Sequence, residues 1–108
     1  MIDWSRVAQL RGEVGAEDFD EVVALFLEEV EEVMARLRSS PGRGRLDRDL
    51  HFLKGSALSL GFQSFSRLCQ EGERLAACGR PESVDIPGIV EDYERSKATF
   101  FAGLPQYG

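Results

Sequence analysis

The chain has 108 residues, of which 43% are hydrophobic and 30% charged, the balance of an ordinary globular protein with one domain and one core. Its net charge of −6 argues against a general nucleic-acid or anionic-membrane surface. No apolar run approaches the roughly 20 residues of a membrane-spanning helix, and "MIDWSRVAQL" does not resemble a signal peptide. We therefore expect a single cytoplasmic domain over residues 1–108.

Glycine and proline divide the sequence into helix-sized segments, and no segment alternates like a half-buried strand. A short first helix is predicted from about Trp4 to Leu10. A second is predicted from about Glu17 to Leu37, because its apolar residues recur at spacings of three and four. These residues are Phe19, Val22, Val23, Phe26, Val30, Val33, Met34 and Leu37. The segment "SSPGRG" at 39–44 is predicted to be a turn.

Two further helices are predicted on either side of Gly61, at about 46–60 and about 63–77. The first carries a single apolar stripe, made of Leu46, Leu50, Leu53, Ala57 and Leu60. The inward face predicted for the second consists of Phe65, Leu68, Cys69, Gly72, Leu75 and Ala76. Both patterns indicate helices with one side in a core.

A last helix is predicted after "CGRPES" at 78–83, with Asp85 as its cap and Pro87 in its first turn. Its stripe runs through Ile89, Tyr93, either Ser96 or Lys97, Phe100 and Leu104, and the tail "LPQYG" is expected to fray. Four amphipathic helices with short connections predict an all-α fold. We expect an up-down-up-down antiparallel four-helix bundle with a short extra N-terminal helix.

The two cysteines, Cys69 and Cys78, are predicted to be reduced thiols, one of them in the core. On one helix their spacing rotates them by about 900°, so they face opposite ways and cannot form a disulfide with each other. Two cysteines and one histidine do not complete a zinc site either. No metal site is therefore expected in this chain.

The only histidine, His51, is predicted to lie on the exposed side of the third helix. At 100° per residue the apolar stripe falls within about 40° of the core direction, whereas His51 falls about 140° away. The surrounding residues 43–54 carry a local excess of positive charge. The bases are Arg43, Arg45, Arg48 and Lys54, and the acids are Asp47 and Asp49. From position alone, a solvated histidine without a role remains an alternative.

The neighbours of His51 favour a chemical role. Gly55, one turn on, leaves a notch through which a partner can approach the imidazole, and Lys54 can balance an anion carried by the ring. Leu58 and Phe62 extend an apolar rim in the same direction. Each feature alone also fits a structural role: solvation for Lys54, close helix packing for Gly55, a wider core stripe for Leu58.

Neutral imidazole is a good nucleophile near pH 7 and can hold a phosphoryl group reversibly. Phosphoryl transfer also needs Mg²⁺ and carboxylates around the other phosphoryl oxygens. The sequence contains neither GxGxxG nor GxxxxGK[ST], the loops that bind nucleotide phosphates. We therefore expect a partner to supply the remaining machinery.

The segment "HFLKGSALSLG" at 51–61 resembles the H-x-L-K-G-S-[SA]-x-x-[LIV]-G signature of histidine-containing phosphotransfer (HPt) domains. The matching positions are His51, Leu53, Lys54, Gly55, Ser56, Ala57, Leu60 and Gly61. The helix layout extends the resemblance over essentially the whole chain. "LCQEGE" at 68–73 is similar to the family's L-C-x-x-L-E, with Gly72 in place of the usual leucine, and Phe62 stands where a small residue is usual.

The resemblance implies a phosphorelay intermediate that is not an enzyme in its own right. His51 is expected to accept a phosphoryl group from the phospho-aspartate of a receiver domain and to pass it to the aspartate of another. The receiver would bring Mg²⁺, Lys54 would balance the phosphoryl charge, and Gly55 would admit the receiver. The implied docking contacts are Leu58, Phe62 and, more weakly, Arg48. The expected partners are response-regulator receiver domains, sensor (hybrid) histidine kinases or both, and the chain is expected to be a monomer.

Two alternatives remain open from the sequence. The first is a phosphoacceptor module of a chemotaxis-type kinase, in which an ATP-binding domain phosphorylates His51. The second is a docking module that binds receivers or kinases without being phosphorylated, for which His51 is dispensable whereas Gly55 and Leu58 are not. A di-iron bundle is excluded because it needs inward Glu-x-x-His pairs.

Overall fold

A computed structural model describes residues 1–39 and 45–107. This part of the chain forms five α-helices: α1 (Trp4–Val14), α2 (Phe19–Ser39), α3 (Leu46–Leu60), α4 (Gln63–Ala77) and α5 (Ile86–Tyr107), with a 3₁₀ turn at Pro81–Ser83. None of the helices described is both long and apolar enough to cross a membrane. Residues 40–44 of the predicted turn, including Arg43, lie outside the described residues.

Helices α2 to α5 form a ring in which each packs against its neighbours. α3 packs most extensively on α4, α2 contacts both α3 and α5, and α5 closes the ring on α4. The additional helix α1 covers parts of α2 and α3. The predicted all-α four-helix bundle with an extra N-terminal helix is confirmed.

The apolar stripes of the four bundle helices meet in one core. The prediction that Leu68 belongs to the inward face of α4 was wrong, because this residue is 39% exposed. The five stripe residues of α3 are at most 2% exposed, and each buried leucine contributes about 1.5–3 kcal/mol relative to an exposed one. On α5 the inward residue is Ser96, which is fully buried and donates a hydrogen bond to Asp92 Oδ1 at 3.1 Å. Lys97 instead pairs with Glu31 across the α2–α5 interface.

The turn between α3 and α4 is held by the first residues of the chain, Met1–Asp3, which we call the N-terminal strap. The Asp3 amide donates to the Gly61 carbonyl at 2.7 Å, and the Gln63 amide donates to the Met1 carbonyl at 2.9 Å. Gly61 has φ +80°, and a Cβ there would lie 2.7 Å from the Asp3 oxygen. Only glycine fits this turn, which sets the register between α3 and α4.

Helix boundaries were predicted within a few residues, and the largest differences lie at the two ends of the chain. α1 continues beyond Leu10 to Val14 and ends where the Gly15 amide donates to the Arg11 carbonyl at 2.9 Å. α5 runs to Tyr107, so the expectation of a frayed tail was wrong for its first four residues. The cap predicted at Asp85 is confirmed, because its carboxylate accepts from the Gly88 amide at 3.0 Å.

The two cysteines differ in burial: Cys69 lies within α4, and Cys78 is the residue that caps the end of this helix. Both are free thiols; Cys69 is fully buried and Cys78 is exposed. Burial raises the pKa of the Cys69 thiol to about 12, since a thiolate is poorly solvated in the core. The prediction of two reduced thiols with one in the core is confirmed.

Candidate functional site

His51 lies on the outer side of α3, and 69% of its side chain is exposed. The residues before and after it on the core stripe, Leu50 and Leu53, are completely buried. Burial of these leucines fixes the rotation of α3 about its axis, and this rotation turns the imidazole to solvent. The predicted exposure of His51 is confirmed.

A carboxylate from the neighbouring helix completes the immediate surroundings of His51. Glu73 on α4 accepts at 2.7 Å from His51 Nδ1 through Oε2, and at 2.7 Å from Lys54 Nζ through Oε1. Its side chain is 24% exposed, as is that of Lys54. His51, Lys54 and Glu73 therefore form one hydrogen-bonded cluster, which we call the site triad.

The charge of Glu73 decides which nitrogen of His51 carries the proton. The hydrogen bond from Lys54, assisted by that from His51, holds the pKa of Glu73 below its ordinary value. An ionised carboxylate can only accept hydrogen bonds, so Nδ1 of His51 must be the protonated nitrogen. The lone pair of the neutral ring then resides on Nε2, which is the nucleophilic position.

Gly55 leaves open space beside the triad. A Cβ built at this position would meet no atom within 4 Å outside the helix's own backbone. Close packing against another helix is therefore not the reason for glycine here. The open space is the notch that the sequence predicted.

The apolar side chains around the site are divided between surface and core. Leu58 is 57% exposed, so it does not widen the core stripe, and Phe52 adds a second exposed apolar side chain at 38%. Arg48 is also exposed. On the adjacent flank of α3, Arg36 of α2 pairs with Asp49 at 2.9 Å, which neutralises one of the acids near the site.

The prediction that Phe62 belongs to the docking rim was wrong. Phe62 is only 1% exposed, and its ring packs against Tyr93 and Phe100 with centroid separations of 6.2 and 5.3 Å. The helical wheel of α3 cannot be continued past Gly61, because the left-handed turn there redirects the chain. Phe62 consequently points into the core.

Glu73 is the site residue that the sequence reasoning did not assign, although it ends the quoted "LCQEGE" segment. The signal was available in the predicted hairpin of α3 and α4. His51 and Glu73 lie at similar sequence distances on either side of the Gly61 turn, so antiparallel helices bring them to the same level. Within residues 1–39 and 45–107, no three His, Cys, Asp or Glu side chains are grouped to hold a metal ion.

Comparison with known proteins gives one match. A family model described as "Hpt domain" matches residues 21–99, a region that contains all three members of the site triad and the Gly55 notch. No curated protein and no solved structure matches this chain.

Proposed function

The chain belongs to the Hpt domain family, whose members are histidine phosphotransfer modules of phosphorelays and carry phosphoryl groups rather than act as enzymes. From this premise we propose that His51 accepts a phosphoryl group from the phospho-aspartate of a receiver domain and passes it to the aspartate of another. The observation that carries the proposal is the exposed imidazole whose Nδ1 is bound to Glu73, which leaves Nε2 free.

The proposed phosphoryl transfer requires no proton to be moved. The Nε2 lone pair attacks phosphorus, the bond from phosphorus to the aspartyl oxygen breaks, and the aspartate leaves as a carboxylate. The ring becomes positively charged because Nδ1 keeps its hydrogen. Glu73 faces that hydrogen and stabilises the charge, as a carboxylate behind a catalytic histidine does. Reversal of these steps delivers the group to a second receiver.

Lys54 is proposed to balance the phosphoryl group on His51. That group brings close to two negative charges, and a lysine ammonium has three donors, of which Glu73 engages one. Lys54 can therefore keep its hydrogen bond to Glu73 and donate a second one to a phosphoryl oxygen. The magnesium ion needed for transfer would be supplied with the acidic pocket of the receiver.

Hpt domains interact with receiver domains and kinases, and the surface around His51 has the features of such an interface. The notch at Gly55 admits a partner's backbone, and the exposed Leu58 offers an apolar contact beyond it. Arg48, one turn before His51, adds positive charge. We define Leu58 and Arg48 as the docking rim. We propose that the chain acts as a monomer and that a receiver domain covers this rim while the phosphoryl group is transferred.

The test is phosphotransfer from a panel of phosphorylated receiver domains to wild type and to His51→Gln. Glutamine keeps a polar side chain but lacks a nucleophilic nitrogen. We expect acid-labile, alkali-stable label on wild type and none on the variant. Label on His51→Gln would contradict the proposal, as would unlabelled wild type that still binds receivers. Label acquired only from a kinase ATP-binding domain would identify a kinase-phosphorylated module instead.

A further inference from the structure

An open groove of about 600 Å³ runs along the outer face of α4, next to the site triad. Lys54 of α3 forms one wall, and α4 contributes Arg67, Gln70, Arg74 and Ala77. These α4 residues recur at spacings of three and four and therefore make one continuous stripe along the helix. The exposed face of α4 that borders the triad is thus a concave surface.

The groove is positive in a chain that is negative overall. Its lining carries three bases, Lys54, Arg67 and Arg74, and two acids, Glu71 and Glu73, which leaves one positive charge against −6 for the whole chain. Lys54 is paired with Glu73, and Arg74 with Glu71. Arg67 is exposed and has no acid within 4.0 Å among the described residues.

The groove and the phosphoryl-accepting site are one continuous surface, because Lys54 and Glu73 belong to both. A protein that reaches Nε2 of His51 must therefore lie close to the groove. The groove is open to solvent along one helix face, a shape that suits the edge of a protein better than an enclosed small molecule.

We infer that the α4 groove is a docking surface for an acidic segment of the protein that exchanges the phosphoryl group with His51, and that Arg67 selects this partner. The inference rests on the proposed function and extends it from the reaction to the choice of partner. A guanidinium binds a carboxylate through two parallel hydrogen bonds. Lys54 pairs with Glu73, and its other donors are assigned to the phosphoryl group. Arg74 pairs with Glu71. Arg67 is therefore the groove cation left to bind the partner.

The test compares two charge reversals, Arg67→Glu in the groove and Arg95→Glu on α5. Arg95 is exposed, is 4.0 Å from Glu91 and lines no part of the groove, so the second variant matches the change in net charge. The donor is the receiver domain that labels wild type fastest in the panel. Phosphoramidate, a small donor that needs no docking surface, labels His51 in parallel.

We expect Arg67→Glu to slow transfer from the receiver about tenfold at low salt, because charges at the rim of an interface act mainly on association. The difference should shrink at about 0.5 M salt, where exposed charges are screened. Phosphoramidate labelling should stay at the wild-type rate, and Arg95→Glu should remain within about twofold of wild type in both assays. The neutral variant Arg67→Gln should give an intermediate rate of transfer from the receiver. It replaces Arg67→Glu in the test if the charge reversal impairs folding.

Transfer at the wild-type rate in both Arg67 variants would overturn the inference, as would equal slowing by Arg95→Glu, which would indicate net charge alone. Slower phosphoramidate labelling of Arg67→Glu would overturn it too, because the effect would then lie at His51 itself. Failure of the proposed function is visible separately: no receiver would label the wild-type chain, and both proposals would fall.

Discussion

The fifteen residues of α3 are divided between two sides of the helix that differ in packing. The inner side consists of four leucines and an alanine that are at most 2% exposed. The outer side presents His51 with its imidazole 69% exposed, the empty space at Gly55 and a leucine that is 57% exposed. The inner side is closely packed, whereas the outer side leaves room for a second protein.

This difference shows that the fold and the chemistry are specified by residues only one position apart. Successive side chains of a helix are rotated by 100°, so Leu50 lies in the core while His51 lies in solvent. α4 is divided in the same way, with Gly72 buried and Glu73 facing His51. Substitutions on one side should therefore alter stability and leave the chemistry intact, and the reverse should hold for the other side.

The largest expected contrast is between Leu53→Ala and His51→Gln. Leu53 is completely buried, and truncation of such a leucine costs about 2–5 kcal/mol. His51→Gln should change the free energy of unfolding by at most about 1 kcal/mol, the value of an exposed pair such as that between His51 and Glu73. Urea denaturation followed by circular dichroism measures both.

Labelling with a phosphoryl donor should rank the two variants in the opposite order. Leu53→Ala, examined at a temperature where it remains folded, should still be labelled by phosphoramidate, and His51→Gln should not. A Leu53→Ala protein that is folded but no longer labelled would contradict this expectation, because it would show that core packing also controls the reactivity of His51.

Glu73→Gln should slow phosphoryl transfer about tenfold, with Glu73→Ala slower still. The glutamine carbonyl can still accept from Nδ1, but it lacks the negative charge that opposes the charge developing on the ring. Single-turnover transfer rates measure the effect. Equal rates for wild type and both variants would show that Glu73 only packs beside His51.

The stability that Glu73 contributes should depend on pH. Its pKa in the folded protein is lowered from 4.5, chiefly by the hydrogen bond from Lys54, so this stability is fully present above the unfolded-state pKa. It is lost as pH falls below 4.5 and through the lower folded-state pKa. The difference in unfolding free energy between wild type and Glu73→Gln should therefore be constant near neutrality and shrink in acid. A difference that persists in acid would have another origin.

The smallest and most diagnostic change is Gly55→Ala. Alanine should stabilise α3 by about 1 kcal/mol, since its Cβ meets no atom within 4 Å. The same methyl group enters the notch, so transfer from a receiver should slow several-fold while phosphoramidate labelling does not. Thermal denaturation and parallel transfer assays check the two effects. A faster, more stable variant would show that the notch has no role in docking.

Most of the fold was predictable because spacing alone identifies a buried helical face. The bounds of α3 and α4 agree with the prediction, and the buried residues of α3 are those of its predicted stripe, joined by Ser56 at 7% exposure. Leu27 of α2 is buried outside the predicted set, because α2 has neighbours on both flanks and its buried face is wider than one stripe. Such widening depends on tertiary packing.

The site was predictable where it depended on one helix and was missed where it depended on two. The exposure of His51 and Leu58 follows from rotation within α3. The contact of Glu73 with His51 requires the register between α3 and α4, which the N-terminal strap and the Gly61 turn hold. Phe62 was misplaced for the same reason, since the wheel of one helix does not extend through a left-handed turn.

The unequal cysteines give the protein an intrinsic position for a fluorescent reporter. Maleimide dyes react with thiolates. Cys69 is buried and its pKa is raised to about 12, so it is neither ionised near neutral pH nor accessible to the dye. The exposed Cys78 should therefore be modified selectively. Cys78 directly follows Ala77, which lines one end of the α4 groove. A dye attached there should change its emission when the groove is covered, which allows partners to be screened by titration with the natural sequence and without radioactivity.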